Sequence, residues 1–248
     1  MIAGAEASRI ARALESVTGW TSEIIIVLNE DVRDGTEAIA RKFGAGVFRE
    51  PWKGHVAQKH SAAQKAAQDW ILGLDADEVV SPELRDEIQR TLADQTKTER
   101  FVAYRFPRCT FYCGRWIRHG DWYPDHQTRL WRRGHADWGG IDPHDRLEVT
   151  GDIGNLRAEL HHHSMESIEH QIQKTIRYAD NFAEQCRARG RRVKFLDLIL
   201  RPPWSFCRGF IFKLGFLDGW RGFSIAWMTA FYTFLRYFKA LEAQSREQ

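Results

Sequence analysis

The chain has 248 residues, of which 43% are hydrophobic and 28% are charged, a balance typical of a globular protein with a real core. No signal peptide is visible and no run of eighteen apolar residues occurs, so we expect no membrane-spanning helix. The net charge of +3 hides an asymmetry, because the residues from Arg187 onward include twelve Lys or Arg against four Asp or Glu. A basic tail on an acidic body points to anionic lipid or nucleic acid as a partner. The four cysteines form no CxxC pair, and reduced thiols in a cytosolic setting are expected.

The chain opens with a helix pattern. In MIAGAEASRIARALESV, residues Ile10, Leu14 and Val17 fall on one helical face. Only Met1-Ile2-Ala3 precedes this helix as a possible strand, whereas an α/β domain normally opens with a strand. We therefore expect either that the start is placed too late or that the first strand is short.

The first hundred residues then alternate between strand and helix patterns. Residues 23–28 (EIIIVL) are a short, continuously apolar run typical of a strand covered on both faces. Residues 46–50 (GVFRE) and 70–74 (WILGL) predict a second and a third short strand. Helix patterns separate these runs, and Ser81-Pro82-Glu83 predicts a helix N-terminus through an N-cap, a first-position proline and an acid in the first turn. This β-α-β order predicts a parallel sheet flanked by helices.

After residue 100 the pattern changes to aromatic-rich strands and loops, followed by helices. The segment SIEHQIQKTIRYADNFAEQC places six apolar residues at helical spacing, and the C-terminal stretch is dense in Trp and Phe with Arg and Lys interspersed. We divide the chain into an α/β domain of residues 1–165 and a helical, amphipathic tail of residues 166–248.

Two carboxylates follow the predicted strand WILGL directly. In an open parallel sheet, ligands bind beyond the carboxyl ends of the strands, and Asp75 and Asp77 fall there. Two residues apart in extended backbone, their side chains are expected to emerge on the same side. Such a pair can hold Mg²⁺ or Mn²⁺ with positions left for phosphate oxygens, although acids at a strand end are also common in solvated turns. Neither G-x-G-x-x-G after a strand nor G-x-x-x-x-G-K-[ST] occurs, which argues against a hydride-transfer Rossmann enzyme and a P-loop NTPase.

Eight stretches of the chain together resemble one enzyme family. The chain is similar to glycosyltransferase family 2 enzymes of the GT-A fold, in particular the bacterial β-1,4-glucosyltransferases that build the lipopolysaccharide or lipooligosaccharide inner core. The stretches run through nearly the whole chain in the family's order: RALESV, DGTEAIA, AQKHSAAQKA, WILGLDADEVVSPEL, GRWIRHGDWYPDHQTRLWRR, PHDRLEV, LHHHS and GFLDG.

The resemblance implies catalytic and metal-binding roles. Asp75 and Asp77 match the D-x-D pair that binds the metal and the diphosphate of the sugar nucleotide. Asp145, in PHDRLEV, matches the carboxylate that serves as the catalytic base, and accepts the proton of the attacking hydroxyl. His162 falls where enzymes of this fold often supply a histidine metal ligand, although a hydrogen-bonded structural histidine is the default interpretation.

The resemblance also implies contacts to the substrates. Lys59 lies in the segment that faces the nucleotide in the family, while Gln127 and Arg129 match an element near the donor and acceptor cleft. Asp34 is retained from the family's nucleotide-binding stretch, but Asn29 replaces an Asp that contacts the base or ribose. The Trp-rich stretch GRWIRHGDWYP is compatible with core packing and with the wall of a sugar cleft, which can coexist, and Trp122 and Tyr123 are the predicted cleft-wall residues.

The resemblance predicts the reaction and its setting. Residues 1–165 are expected to form a GT-A catalytic domain, with a Rossmann-like, mostly parallel sheet, and residues 166–248 a helical, membrane-associating extension. The expected reaction is the inverting transfer of a hexose, glucose from UDP-glucose, with Mg²⁺ or Mn²⁺, to a lipid-linked saccharide. The expected location is the inner, cytoplasmic face of the cytoplasmic membrane, because Trp and Phe suit the acyl boundary and Arg and Lys suit anionic headgroups.

Two other function classes remain open at this point. A sugar nucleotidyltransferase is expected to carry a Gly-rich basic loop after its first strand, and the visible N-terminus has none. A non-catalytic, membrane-associated protein derived from a glycosyltransferase is compatible with the altered nucleotide segment. Nucleic acid is a poorer fit as a partner, because the basic residues are mixed with aliphatic ones and no known binding motif occurs.

Overall fold

The computed structural model describes residues 1–141, 144–165 and 168–246. The strands are β1 (Ile2–Ala3), β2 (Ile25–Asn29), β3 (Gly46–Glu50), β4 (Trp70–Leu72), β5 (Glu78–Val80), β6 (Ala103–Tyr112), β7 (Arg115–Ile117), β8 (Asp125–Arg132), β9 (Ala136–Ile141), β10 (His144–Val149), β11 (Ile153–Asn155) and β12 (Leu160–His162). The helices are α1 (Ile10–Glu15), α2 (Thr36–Lys42), α3 (His55–Gln64), α4 (Pro82–Ala93), α5 (Gln95–Arg100), α6 (Ile168–Ala188), α7 (Phe195–Cys207) and α8 (Trp220–Ser245).

The chain forms two compact units. Unit 1 comprises Met1–Arg108 and Asp125–His163, and unit 2 comprises Cys109–Pro124 and the chain from Ser164 onward. The end of unit 1 lies close to the predicted boundary at residue 165, whereas the predicted α/β domain also contained the segment Cys109–Pro124, which groups with the C-terminal part.

Unit 1 is built on a parallel three-stranded sheet and a larger mixed sheet. The parallel sheet has the order β1-β2-β3, with Ile2 opposite Val27 and Ile25 opposite Gly46. The larger sheet has the order β4-β8-β6-β12-β5, and its pairs β4–β8, β6–β8 and β5–β12 are antiparallel. The α/β class is confirmed, and parallel pairing is less extensive than predicted because the second half of the unit adds antiparallel strands.

Local sequence signals explain several element ends in unit 1. Ser81 caps α4, and its Oγ accepts a hydrogen bond from the backbone N–H of Leu84 at 3.1 Å, as the Ser-Pro-Glu pattern predicts. Gly73 follows β4 under the ring of Trp131, where an added Cβ would lie 3.0 Å from a ring carbon. A side chain at position 73 would therefore displace the tryptophan, and the glycine lets the chain turn toward the acidic residues that follow.

The core of unit 1 consists of apolar side chains that the strand and helix patterns predicted. Ile10, Leu14, Ile26 and Leu28 are fully buried in one cluster between α1 and the parallel sheet. Each such burial contributes about 1.5–3 kcal/mol relative to exposure. The β-α-β frame is thus stabilised by the same side chains whose spacing in the sequence predicted it.

Unit 2 is mainly helical, with α7 and α6 each packed against α8. Cys186, Val193, Tyr237 and Ala240 form a buried cluster in it. The carboxylate of Asp218, 2% exposed, accepts hydrogen bonds from the backbone N–H of Arg118 at 3.1 Å and of His119 at 2.9 Å. The GFLDG stretch therefore holds the backbone of a loop within this unit.

The apolar stripe of α6 is buried only in part. Ala179 and Cys186 are buried, whereas Ile168, Ile172 and Ile176 are each at least 40% exposed. The helical spacing predicted which residues lie on the apolar face of α6. It did not predict which of them are buried against the rest of the unit. None of the helices in the described part of the chain combines the length and the apolar character that a membrane crossing requires.

Candidate active site

The two aspartates of the D-x-D pair point in different directions. Strand β4 ends at Leu72, and the chain then turns, with the N–H of Glu78 donating to the carbonyl of Asp75 at 3.0 Å. Asp75 contacts Lys59 and Arg129, whereas Asp77 contacts His162. The expectation that both side chains emerge on one side is wrong, because it assumed extended backbone through a segment that is a turn.

Asp75 is held by two cations. Its Oδ1 lies 2.9 Å from Lys59 Nζ, and its Oδ2 lies 2.8 Å from Arg129 Nη2. Burial on its own would raise the pKa of Asp75, but the charges of Arg129 and Lys59 outweigh burial and lower the pKa well below its ordinary value. Asp75 is therefore a permanent anion, paired on both oxygens.

Glu78 is the buried carboxylate that organises this cluster. Its side chain is 0% exposed, and its Oε1 lies 2.9 Å from Arg108 Nη1 and 3.3 Å from Arg129 Nη2. Its Oε2 accepts a hydrogen bond from the backbone N–H of Asp75 at 3.0 Å. This third acid of the DADE stretch had no predicted role. A fully buried glutamate with two arginine partners fixes both the turn and the guanidinium groups.

Lys59 joins the D-x-D turn to the predicted base. Its Nζ lies 2.9 Å from Asp145 Oδ2 as well as 2.9 Å from Asp75 Oδ1, and the residue is 8% exposed. Lys59 comes from α3 and Asp145 from β10, 86 positions away. The structure thus brings together four of the predicted site residues, namely Lys59, Asp75, Arg129 and Asp145.

Trp138 forms an aromatic surface beside the two cations of the cluster. Lys59 Nζ lies 4.7 Å and the Arg129 guanidinium 5.3 Å from the centre of its ring system. The ring faces attract cations, and the buried indole excludes water from one side of the ion pairs. Trp138 had no predicted role, and its only signal in the sequence was its place a few residues before PHDRLEV.

The second aspartate of the pair meets a histidine. Strand β12 pairs with β5 so that His162 lies opposite Glu78, and His162 Nε2 lies 3.4 Å from Asp77 Oδ2. Burial would raise the pKa of Asp77, but the hydrogen bond and charge of His162 lower it below its ordinary value. Asp77 and His162 were both predicted as metal ligands, and they are neighbours.

These residues fit a divalent cation in part. A carboxylate and an imidazole suit Mn²⁺, and phosphate oxygens and water commonly supply its remaining ligands. Both oxygens of Asp75 are paired to cations, Lys59 and Arg129. Among the residues that the structure describes, no group of three or more His, Cys, Asp or Glu is arranged to hold a metal ion. The predicted three-residue ligand set therefore does not assemble, and the metal stays a prediction that rests on Asp77 and His162.

The other predicted contacts lie outside the cluster or at its edge. Gln127 donates to Asp125 at 2.7 Å, and Asp125 in turn accepts from Arg108, so Gln127 reaches the cluster through two residues. Asp34 accepts from the backbone N–H of Ala7 at 3.1 Å and from Thr36, which ties the start of α2 to the segment before α1. Their contacts to a substrate remain predictions.

The predicted cleft aromatic Trp122 belongs to unit 2. Its ring centre lies 5.3 Å from that of Tyr112 in an edge-to-face contact, and it packs against Ile117 and Ile225. Core packing accounts for this tryptophan, and a sugar contact by it remains a prediction.

Comparison with known proteins shows to which family the chain belongs. The family model described as "Glycosyl transferase family 2" matches residues 1–147, more than half of the chain. The chain belongs to glycosyl transferase family 2. The resemblance drawn from the sequence motifs is confirmed, and with it the GT-A type of the α/β fold.

Relatives along nearly the whole chain carry glycosyltransferase names. The chain is 32% identical to the uncharacterized glycosyltransferase RP128 of Rickettsia prowazekii, over 98% of this chain and 86% of that protein. It is 29% identical to the lipopolysaccharide core biosynthesis glycosyltransferase LpsC of Rhizobium meliloti, over 93% of this chain and 86% of that protein. The crystal structure of S. aureus TarS matches with a TM-score of 0.48 and 11% identity, over 99% of this chain and 90% of that one.

Proposed function

We propose that this family 2 enzyme transfers a hexose, glucose from UDP-glucose, to a hydroxyl of a lipid-linked saccharide in lipopolysaccharide core synthesis. The observation that carries the proposal is the cluster in which Lys59 bridges Asp75 and Asp145 at 2.9 Å each. It joins the first acid of the D-x-D pair to the matched base position. The similarity to a relative named for lipopolysaccharide core biosynthesis supports the choice of acceptor class.

Asp145 is the proposed general base of an inverting displacement. The acceptor hydroxyl oxygen attacks the anomeric carbon, its proton passes to the Asp145 carboxylate, and the bond from that carbon to the diphosphate oxygen breaks. In the absence of donor, Lys59 holds Asp145 and Asp75 together. A diphosphate is a stronger partner for this ammonium, so donor binding would free the Asp145 carboxylate for the acceptor.

Asp77 and His162 are the residues that would hold the divalent ion. Such an ion supplies charge neutralisation for the departing diphosphate. Lys59 and Arg129 add fixed positive charge close by, at 2.9 and 2.8 Å from Asp75, beside the ring of Trp138. Preorganised charge of this kind stabilises a leaving anion without reorganisation during the step.

Replacing Asp77 with alanine is expected to lower metal-dependent turnover of UDP-glucose by about 100-fold or more, since metal stabilisation of the leaving group is worth several kcal/mol. Donor hydrolysis and transfer, measured with and without Mn²⁺ on the purified chain, test this. The control is Asp86→Ala in α4, whose side chain is 54% exposed and pairs with Arg85. Unchanged turnover in Asp77→Ala, with an unchanged melting temperature, would remove the metal role. A wild-type chain that neither binds nor hydrolyses any nucleotide sugar would remove the enzymatic proposal itself.

We further propose that unit 2 attaches the enzyme to the inner face of the cytoplasmic membrane. Phe195, Phe212 and Trp227 are each more than 60% exposed, and a large set of exposed apolar side chains is typical of a surface that binds a membrane or another protein. Other large apolar side chains of unit 2 are also exposed, namely Leu196, Ile199, Leu200, Trp204, Ile211, Leu214, Phe216, Leu217, Trp220, Phe223, Phe231, Phe234 and Phe238. Aromatic side chains in this number suit the boundary between headgroups and acyl chains.

The basic residues of unit 2 contribute less to this attachment than their number indicates. Arg201 pairs with Asp197, and Lys239 pairs with Asp180. Arg208 and Lys213 both pair with Asp121, at 2.9 and 3.1 Å. Three acids thus offset part of the charge of these four cations, and the apolar side chains are expected to supply most of the membrane affinity.

The double substitution Trp204→Ser and Phe212→Ser is therefore expected to weaken binding to vesicles by about 100-fold, because each lost insertion costs about 1.5–3 kcal/mol. Trp204 and Phe212 are neighbours, with ring centres 5.6 Å apart. Cosedimentation with vesicles of phosphatidylethanolamine and phosphatidylglycerol measures the effect, and Trp52→Ser, at a 48% exposed tryptophan of unit 1, is the matched control. Equal binding by the double variant and the control would contradict attachment through unit 2.

A further inference from the structure

The connection between α6 and α7 is strongly basic. Residues 187–194, RARGRRVK, include five Arg or Lys and no Asp or Glu. All five of these side chains are exposed. We call residues 187–194 the basic loop. Five like charges on eight residues repel one another, so this sequence is unfavourable for the protein alone and is typical of a segment that meets an anionic partner.

The backbone of the basic loop is fixed by the fold of unit 2. At the end of α6, the N–H of Gly190 donates to the carbonyl of Arg187 at 3.0 Å, and the N–H of Arg191 donates to the carbonyl of Cys186 at 2.9 Å. Gly190 has a positive φ of 61°, as this way of ending a helix requires. Val193 is buried in the cluster that contains Cys186. The loop therefore holds its cations at defined places on the surface.

Three arginines of the basic loop have no acidic partner. Across residues 1–141, 144–165 and 168–246, no carboxylate lies within 4.0 Å of the guanidinium nitrogens of Arg189, Arg191 or Arg192. In α7, by contrast, Arg201 pairs with Asp197. The dipole of a helix favours cations at its C-terminus, but this effect falls off within the last turn, and α6 ends at Ala188. The helix end thus does not account for the arginines beyond it.

Exposed apolar side chains follow the basic loop directly. Phe195, Leu196 and Leu200 at the start of α7 are each more than 60% exposed. Leu196 and Leu200 are one turn apart and lie on the same face of the helix. Cations next to a protruding apolar surface match the boundary of a bilayer, where phosphates lie beside acyl chains. An acidic protein or a nucleic acid would leave this apolar surface uncovered.

We propose that the basic loop binds the phosphates of anionic phospholipids and makes the attachment of unit 2 selective for bilayers that contain them. This inference rests on the proposed membrane attachment and adds the class of lipid. Insertion of Phe195 and Leu196 at the acyl boundary brings the loop to the level of the headgroups, because the loop precedes them without a gap. Each guanidinium can then offer two N–H groups to the oxygens of one phosphate.

The triple substitution Arg189→Gln, Arg191→Gln and Arg192→Gln tests the proposal. Each cation near an anionic surface strengthens binding about fivefold, so the variant is expected to bind about 100-fold more weakly to vesicles of phosphatidylcholine mixed with phosphatidylglycerol. Its binding to vesicles of phosphatidylcholine alone is expected to change by less than about threefold, since no anionic lipid is present. Cosedimentation at low salt measures both. In about 1 M salt, where charges are screened within about 3 Å, the wild-type chain is expected to bind both kinds of vesicle equally.

The matched control removes the same charge from unit 1, by Arg90→Gln, Arg100→Gln and Arg133→Gln at three exposed arginines. It is expected to bind both kinds of vesicle as the wild-type chain does. The loop variant is expected to keep the melting temperature of the wild-type chain, because its three arginines make no ion pair that the change would break.

The outcomes separate this inference from the attachment on which it rests. Equal binding of the wild-type chain to the two kinds of vesicle at low salt, or an unchanged preference in the loop variant, would overturn the role of the basic loop and leave attachment through apolar side chains intact. Binding to neither kind of vesicle would overturn the attachment itself. Tighter binding of the wild-type chain to single-stranded RNA than to either kind of vesicle, lost in the loop variant, would assign the loop to nucleic acid instead.

Discussion

Replacing Glu78 with alanine is expected to lower the free energy of unfolding by about 3 kcal/mol or more, because it removes one partner of a buried ion-pair network. The carboxylate is 0% exposed and contacts Arg108 and Arg129 at 2.9 and 3.3 Å. Without it, Arg129 keeps its ion pair with Asp75, in a position that is 5% exposed, but loses the charge of a second buried partner. The turn also loses the acceptor for the N–H of Asp75. Urea unfolding followed by fluorescence and circular dichroism measures the change.

Two further variants separate the sources of this loss. Glu78→Gln keeps the shape and the acceptor oxygen but removes the charge, so it is expected to lose most of the stability that alanine loses. Glu148→Ala is the matched control, since Glu148 also pairs with an arginine, Arg146, at 2.9 Å, but with both side chains more than half exposed. Exposed pairs contribute about 0–1 kcal/mol. Equal effects of Glu78→Ala and Glu148→Ala would show that burial of the Glu78 network does not matter for stability.

The frame of unit 1 was predictable because its signals are local. A continuous apolar run identified β2, short strand patterns identified β3 and the strand before the D-x-D pair, and the Ser-Pro-Glu pattern identified the start of α4. In β2 and at the start of α4, the residues that carry the pattern also make the packing or capping contact. Side-chain period and cap chemistry act within a few residues, so a single sequence contains them in full.

The contacts within the site were harder to predict from the sequence, because they join residues that are far apart along the chain. Lys59 reaches Asp145 across 86 positions, and His162 reaches Asp77 only because β12 pairs with β5 in one particular register. The family motifs identified these four residues as members of one site but did not show which of them contact one another. The direction of Asp75 was predicted wrongly, since a period of two residues holds only while the backbone is extended, and β4 ends three residues before it.

Glu78 illustrates a signal that was present and not used. Glu78 begins β5, with Val79 and Val80 directly after it, and a glutamate that is fully buried needs cationic partners. The arginines that provide them, Arg108 and Arg129, lie on β6 and β8. Two paired antiparallel strands that each carry an inward-pointing arginine would have indicated a buried acid in contact with both arginines.

Replacing Asp145 with asparagine is expected to lower the rate of sugar transfer by about 100- to 10,000-fold, the range that a positioned general base contributes. Asparagine keeps the size of the side chain and an oxygen that can accept from Lys59, but it cannot take up the acceptor's proton. Because Lys59 and Arg129 keep their contacts to Asp75, the affinity for UDP-glucose is expected to change little. Transfer to a lipid-linked acceptor measures the rate, and the shift of the melting temperature with UDP-glucose and Mn²⁺ measures donor binding.

The separation of the rate from donor binding distinguishes a base from a structural acid. A structural role would lower the melting temperature and the donor affinity together, because loss of the negative charge that faces Lys59 would disturb the Asp75 carboxylate that Lys59 also holds. Asp137→Asn is the matched control: Asp137 lies on the neighbouring strand β9, its side chain is 59% exposed, and it contacts His60 rather than the cluster. Transfer by Asp145→Asn at the rate of Asp137→Asn would assign the base to another residue. A parallel loss of transfer and donor binding would show that Asp145 serves to position Lys59. The proton acceptor would then be a residue other than Asp145 and Asp75, the two carboxylates that Lys59 contacts.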